Sequence, residues 1–156
     1  MGFSMCPIAV VQAPVETVWE LLADPALYDV WWDARTVGIE PEGTATPGQV
    51  VHAKTVGLGR MWDVTLRVEA VDPAQHQVRL HITLPLGIIN DNTITCTAVD
   101  AHSCRVAFGR DFTLPPGWRG WMLATFGAGL FERNVQDGLQ RLKRAAEARH
   151  RDRLAG

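Results

Sequence analysis

Three consecutive polar residues, Asn90, Asp91 and Asn92, are the first candidates for chemistry in this chain. They stand in Leu86–Cys96, a stretch that begins apolar and ends as an alternating strand, although Asn and Asp are depleted in strands. Two interpretations are open: the residues form a turn, or polar side chains lie on a buried face for a functional reason. The pattern favours a hairpin turn at Asn90 and Asp91, with Asn92 as the first inward position of the strand that follows.

Arg110 is predicted to lie directly across from Asn92. The tightest turn that keeps the apolar faces of both strands inward centres on Ala101 and pairs Asn92 with Arg110. An arginine and an asparagine on an otherwise apolar face can orient a ligand carbonyl or carboxylate. In the alternative interpretation, Arg110 extends to the rim of the interior or pairs with a carboxylate, and it takes no part in a site.

The histidines and cysteines do not form a known catalytic or metal-binding pattern. The sequence contains no HExxH, CxxC or GxSxG motif, so we expect no metal and no cofactor and assign no catalytic residue. His52 is ambiguous, because its strand has apolar residues in both registers, and an exposed or edge position is favoured. Cys6, Cys96 and Cys104 are an odd number of cysteines, which favours reduced thiols in a cytoplasmic protein.

Composition argues against two classes of partner. The 156 residues are 47% hydrophobic and carry a net charge of -2, so no broad basic surface is predicted for nucleic acid. The apolar runs are shorter than the roughly 20 residues that span a bilayer, so we predict no stable membrane insertion. The length fits a single domain over residues 1–156, and composition leaves monomer and homodimer both open.

The hydrophobic period changes along the chain and predicts the elements that hold these candidates. A strand and two short helices come first, at residues 5–13, 13–25 and 25–32. The period is then two, as in antiparallel strands with one wet face, and predicts strands at 35–40, 49–56, 61–71, 76–84, 92–99 and 104–112. A helical stripe predicts one long helix over residues 117–149, which must cover the dry face of the sheet.

The segments APVETVWELLADPALYDVWW and GLFERNVQDGLQRLKRAAE, together with this element order, resemble the START/Bet v 1-like (SRPBCC) superfamily, most closely its polyketide cyclase/dehydrase and lipid-transport branch. The resemblance covers essentially the whole chain. It implies an α+β helix-grip fold, in which a curved antiparallel sheet of about seven strands wraps around the long C-terminal helix. It also implies an elongated apolar cavity, with Trp31 and Trp32 near its mouth; one of the two is expected to be exposed there and the other packed in the core.

The resulting hypothesis is a protein that binds a hydrophobic small molecule, such as a polyketide, lipid or sterol-like compound, between the sheet and the C-terminal helix. Asn92 and Arg110 would hold the polar end of the ligand. Eight residues would contact its apolar body: Trp62, Val64, Leu66, Leu80, Ile82, Phe108, Trp121 and Phe126.

Two alternatives from other classes stay open. A polyketide cyclase or dehydratase needs a general acid or base inside the cavity, and the sequence offers only Arg110 and His52 for that role. An interaction module of the co-chaperone kind needs an apolar surface patch and no cavity. A structure separates these possibilities, because it shows whether a cavity exists and whether Arg110 faces it.

Overall fold

The computed structural model describes residues 2–57 and 59–156. Its helices are α1 (Val15–Leu22), a 3₁₀ helix (Pro25–Val30) and α2 (Trp118–Ala155). Its strands are β1 (Gly2–Met5), β2 (Ile8–Val11), β3 (Arg35–Glu40), β4 (Val50–Gly57), β5 (Arg60–Asp72), β6 (Gln77–Thr83), β7 (Ile89–Ala98) and β8 (Cys104–Thr113). They form an antiparallel sheet in the order β1-β8-β7-β6-β5-β4-β3, in which β2 also pairs with β8. The predicted α+β helix-grip fold is confirmed.

The N-terminal strand predicted at residues 5–13 is two shorter strands. Both β1 and β2 pair with β8. The strand is interrupted between them at Pro7, which has no backbone N–H to donate to a neighbouring strand. The carbonyl of Pro7 still accepts a hydrogen bond from the backbone N–H of Phe108 at 3.0 Å. The sheet therefore has eight strands within residues 2–57 and 59–156, whereas about seven were expected.

The turn predicted at Asn90 and Asp91 is wrong, because the chain turns earlier. Pro85–Gly87 form a short 3₁₀ turn, in which Gly87 has a φ of 79°, a conformation that glycine adopts at no steric cost. The backbone N–H of Leu84 donates to the carbonyl of Ile88 at 2.8 Å and closes this turn. Asn90 and Asp91 consequently belong to β7.

The β7–β8 hairpin has the predicted register. Asn92 lies opposite Arg110, and Ala98 lies opposite Cys104, so the inward and outward faces of both strands follow the sequence pattern. Cys96 and Cys104 are buried free thiols, as expected for diagonal positions that are too far apart for a disulfide.

The 3₁₀ helix turns both tryptophans of the VWWD segment inward. Trp31 packs between Tyr28 and Phe108, with ring centroids 5.1 and 5.8 Å away, and the hydroxyl of Tyr28 donates to the carbonyl of Leu22 at 2.8 Å. Trp32 is 7% exposed and Trp31 is 1% exposed. The expectation that one of them is exposed is therefore wrong, because both rings find apolar neighbours beneath the helices.

The C-terminal half of α2 closes the core. Val135, Leu139, Leu142 and Ala146 recur at helical spacing and are buried, as predicted for the sheet-facing stripe. The first half of α2 has a different character: its aromatic and aliphatic residues are largely exposed. No helix within the described ranges is long and apolar enough to cross a membrane.

Candidate functional site

A cavity of about 530 Å³ lies between the sheet and the first half of α2 and is partly open to solvent. Strands β4 to β8 supply one wall, α2 supplies the opposite wall, and the loop after the 3₁₀ helix closes one side. Most of the lining is apolar; its largest members are Trp31, Trp32, Trp62, Phe112 and Phe131. The volume is within the range of ordinary small-molecule sites.

Glycines on α2 help to leave this space open. Gly127 and Gly138 both line the cavity. A Cβ atom at Gly138 would lie 3.6 Å from the carbonyl oxygen of Trp31 and 3.8 Å from Nη2 of Arg110. A side chain larger than alanine at this position would therefore enter the space in front of the guanidinium group.

Arg110 is the buried charge of the cavity. Its side chain lines the wall but the residue is only 7% exposed, and Nε has no hydrogen-bond partner among the described residues. Burial lowers the pKa of Arg110 to about 10, and the charge of Asp33 opposes this shift. The guanidinium carbon lies 5.3 Å from the ring centroid of Phe108, a contact that compensates only partly for the lost hydration.

Two asparagines lie on the same inner face as Arg110. Asn90 lines the cavity, and its Oδ1 has no partner in the described part of the chain. Asn92 lies one step deeper, opposite Leu80 on β6 and Arg110 on β8, and neither Oδ1 nor Nδ2 has a protein partner. An unsatisfied buried polar group costs roughly 1–3 kcal/mol, so these polar atoms lower the stability of the ligand-free protein.

Asp33 is the acidic residue that lines the cavity. It is exposed, but its neighbours Trp32 and Ala34 are 7% and 3% exposed, so the backbone on both sides is held in the core. The carboxylate of Asp29 accepts from the backbone N–H of Thr36 at 2.8 Å and closes the same loop. The loop therefore holds Asp33 at the mouth of the cavity.

Eight of the ten predicted ligand-binding residues lie on the inner side of the sheet. Those that line the cavity are Trp62, Val64, Ile82 and Arg110. Those that lie in the packed core outside its lining are Leu66, Leu80, Asn92 and Phe108. The sequence therefore predicted which side chains point inward. It did not predict which of these inward side chains line the cavity and which are packed in the core.

Trp121 and Phe126, the other two, do not line the cavity. They are 59% and 76% exposed, because α2 approaches the preceding loop at Gly120, where a Cβ atom would overlap the carbonyl oxygen of Pro115. That close contact fixes the rotation of the helix and directs Leu123 inward instead. Their predicted place at the end of the cavity is corrected accordingly.

Sequence reasoning missed Asp33 and Asn90 as lining residues, whereas Trp31 and Trp32, which were expected near the mouth, both line the cavity. Asn90 was assigned to a turn, and Asp33 follows directly on the two tryptophans that were expected at the cavity mouth. His52 is exposed, as favoured by the sequence. Within residues 2–57 and 59–156, no three histidine, cysteine or acidic side chains are grouped closely enough to hold a metal ion.

Comparisons with known proteins place this geometry in a wider context. Residues 9–147 match the sequence model of a family described as polyketide cyclase/dehydrase and lipid transport. No curated protein sequence matches the chain.

Solved structures with a similar fold share little sequence with this chain. The Zhui aromatase/cyclase of Streptomyces sp. R1128 superposes with a TM-score of 0.78 at 24% identity, covering 96% of both chains. Norcoclaurine synthase from Thalictrum flavum, solved with dopamine and hydroxybenzaldehyde, gives a TM-score of 0.69 at 14% identity over 92% of this chain and 86% of its own. Ara h 8.0201 gives 0.67 at 15% identity over 97% and 99%. At these identities the likeness establishes the fold alone.

Proposed function

Because the chain belongs to the polyketide cyclase/dehydrase and lipid-transport family of the START/Bet v 1-like superfamily, we propose that it binds a hydrophobic small molecule of the polyketide, lipid or sterol-like kind between the sheet and α2. The observation that carries this proposal is the cavity of about 530 Å³ whose apolar walls end at the buried side chain of Arg110. A cytoplasmic location and a monomeric or homodimeric state stay predictions.

The apolar walls supply part of the binding free energy. Burying about 200 Å² of apolar ligand surface contributes roughly 5 kcal/mol. Association costs roughly 4–15 kcal/mol in lost translational and rotational freedom. The two terms are of similar size, so the walls alone favour at most a weak complex, and a polar contact is needed to make it specific.

Arg110 is suited to supply that polar contact. Its guanidinium group donates hydrogen bonds and accepts none, and it lies in a low-dielectric wall where such bonds are stronger than in water. We expect a ligand carbonyl placed before the guanidinium group to accept a hydrogen bond from it. Asn90, on the same lining, can accept from the ligand in turn.

A cyclase or dehydratase activity is the second candidate, and one observation favours it. Asp33 lines the same cavity as Arg110, which supports a carboxylate in the role of general base that this activity needs. The co-chaperone-like alternative required an apolar patch without a cavity. Exposed apolar residues do occur on α2, including Trp118 and Phe126, but they accompany a cavity and do not favour that alternative.

Binding of a neutral apolar ketone tests the proposal directly. Prodan, a naphthalene ketone whose emission shifts in apolar surroundings, is titrated into the wild type and into Arg110→Met. We expect binding to weaken about 10- to 100-fold in the variant, because a hydrogen bond from a charged donor contributes roughly 1.5–3 kcal/mol. Arg105→Met is the matched control, since Arg105 lies on the same strand and is exposed. Equal affinities in all three proteins would remove Arg110 from the site.

A second pair of variants tests the cavity itself. Leu123→Trp enlarges a lining residue on α2, and Thr125→Trp places the same ring on an exposed position two residues later. We expect the first variant to abolish prodan binding and the second to leave it unchanged, with thermal melts confirming that both fold. Retained binding in Leu123→Trp would contradict a site between the sheet and α2. Native mass spectrometry of gently purified protein then shows whether a ligand is carried from the cell.

A further inference from the structure

Five large apolar side chains are exposed on the first half of α2. Trp118, Trp121 and Phe126 are 68, 59 and 76% exposed, and Met122 and Leu130 are exposed as well. Positions 118, 122, 126 and 130 are spaced by four, so their side chains follow one side of the helix, and Trp121 flanks them. We refer to these five residues as the outer face of α2.

The outer face is large enough to form the centre of a dimer interface. Its three aromatic side chains leave roughly 400 Å² of apolar surface in water, because each buries about 150–250 Å² when it is fully covered. Met122 and Leu130 add to this area. Each partner of a standard interface buries about 800 Å², of which about 65% is apolar in homodimers. The outer face therefore has the area and the apolar character of a surface that a second subunit covers.

The charges around the outer face favour a second copy of this chain over a lipid surface. Residues 112–131 contain one charged side chain, Arg119, and the whole chain has a net charge of -2. A helix that lies on an anionic membrane carries many Lys or Arg residues beside its apolar face. A second copy presents the same apolar surface and needs no opposite charge, so it is the occupant that this composition fits.

The shape of the outer face is complementary to itself. Its large residues Trp118, Trp121 and Met122 lie at the beginning of the helix, whereas exposed Ala128 and Gly129 lie one to two turns later. A Cβ atom at Gly129 would have nothing within 4 Å, so the surface there is open. A two-fold axis brings the same patch of both subunits together. If the two helices are antiparallel, the large residues of each lie over the small residues of the other.

The inner side of the same helix segment lies over the cavity. Leu123 and Gly127 line the empty space, so this part of α2 has less packing beneath it than the second half of the helix. Helices in proteins depend on the packing of an apolar face, and Gly127 and Gly129 both lower intrinsic helix stability. Contact from outside the subunit would supply packing that the cavity does not provide.

We propose that the outer face of α2 is the interface of a two-fold homodimer, in which the first halves of the two α2 helices pack antiparallel against each other. The inference does not depend on what the cavity binds. It assigns the exposed aromatic residues of α2 to subunit contact and leaves the ligand site to the inner side of the same helix.

Sedimentation velocity over a range of micromolar concentrations tests the proposal. We expect the wild type to sediment with twice the mass of the 17.2 kDa chain. Trp121→Glu and Phe126→Glu should each raise the dissociation constant of the dimer at least about 100-fold, because the two-fold axis places each substitution in the interface twice and buried aromatic residues are typical hot spots. Leu154→Glu is the matched control, since Leu154 lies on the same helix, is 74% exposed and is outside the outer face; it should leave the constant unchanged.

Circular dichroism and thermal melts establish that the variants fold, as expected for substitutions at exposed positions. A wild type that stays monomeric at hundreds of micromolar overturns the proposal. A dimer that is equally stable in Trp121→Glu and Phe126→Glu overturns it too, because association would then use another surface, and so does equal weakening by Leu154→Glu. A monomeric wild type that floats with phosphatidylglycerol vesicles would show that the outer face binds lipid instead.

Discussion

Replacing Arg110 by methionine should stabilise the folded protein while weakening ligand binding. The guanidinium group is buried, its Nε has no partner in the described ranges, and no ion pair includes it. Methionine has a similar length and fills the same volume without a charge. Replacing buried ions by apolar residues of similar volume is often neutral or stabilising by roughly 1–4 kcal/mol, which is the direction expected here.

The size of the effect follows from the pKa of Arg110. Burial lowers it from its ordinary value to about 10, and each pKa unit corresponds to about 1.4 kcal/mol between the two protonation states. The charged form is therefore destabilised by roughly 3 kcal/mol relative to water. Since the folded-state pKa lies below the unfolded one, this penalty is fully present at pH 7 and is relieved only as the pH rises above about 10.

This penalty already includes the opposing charge of Asp33, and we expect a gain of roughly 1–3 kcal/mol in the free energy of unfolding. For a chain of 156 residues, that gain raises the melting temperature by roughly 2–4 °C per kcal/mol. Urea unfolding of the ligand-free protein measures the change, and the m-value should be unaltered. The affinity for prodan should fall in the same variant.

Arg105→Met is the control for this measurement as well. Arg105 is exposed on the same strand, and surface substitutions usually change stability by less than about 0.5 kcal/mol. The reasoning is refuted if Arg110→Met is destabilised by roughly 3–5 kcal/mol, the cost of breaking a buried charge pair. That result would mean that Arg110 is well satisfied in the ligand-free protein.

The remaining predictions concern the helix that covers the cavity and the thiols. Gly120→Ala should destabilise the protein by roughly 1–3 kcal/mol, because the new Cβ would overlap the carbonyl oxygen of Pro115, whereas Gly129→Ala, with nothing within 4 Å, should stabilise it by about 1 kcal/mol. Thermal melts compare the two, and changes of the same sign would contradict the predicted placement of α2. In the native protein, exposed Cys6 should react with a thiol reagent well before the two buried cysteines, since burial raises the pKa of Cys104 to about 11. Reaction of all three thiols at one rate would show that the β7–β8 core opens readily.

The sequence predicted the hairpin at the centre of the site because strand register depends on local rules. Side chains alternate with a period of two, and one slipped residue would move every apolar side chain of a strand to the wrong face. The pairing of Asn92 with Arg110 follows from that constraint, and the structure has it. The family resemblance was carried by the flanking helices and is confirmed by the match over residues 9–147.

The earlier turn was harder to predict because two neighbouring short segments both favour a turn. Pro85–Gly87 and Asn90–Asp91 both carry turn residues. In the structure Pro85–Gly87 forms the turn, with both Leu86 and Gly87 at positive φ. That choice moves Asn90 from a loop to the inner wall of the cavity, and no count of residue types distinguishes the two positions.

The sequence by itself determined which faces of the strands are apolar, where the long helix lies in the chain, and that Arg110 stands among inward residues. Only the tertiary structure decided which of those residues line empty space. That outcome depends on the separation between sheet and helix, which is set by the contact of Gly120 with Pro115 and by the small residues at Gly127 and Gly138. Asp33 lines the cavity for a similar reason. A loop residue comes close to a strand residue such as Arg110 only when segments that are distant in the sequence pack together.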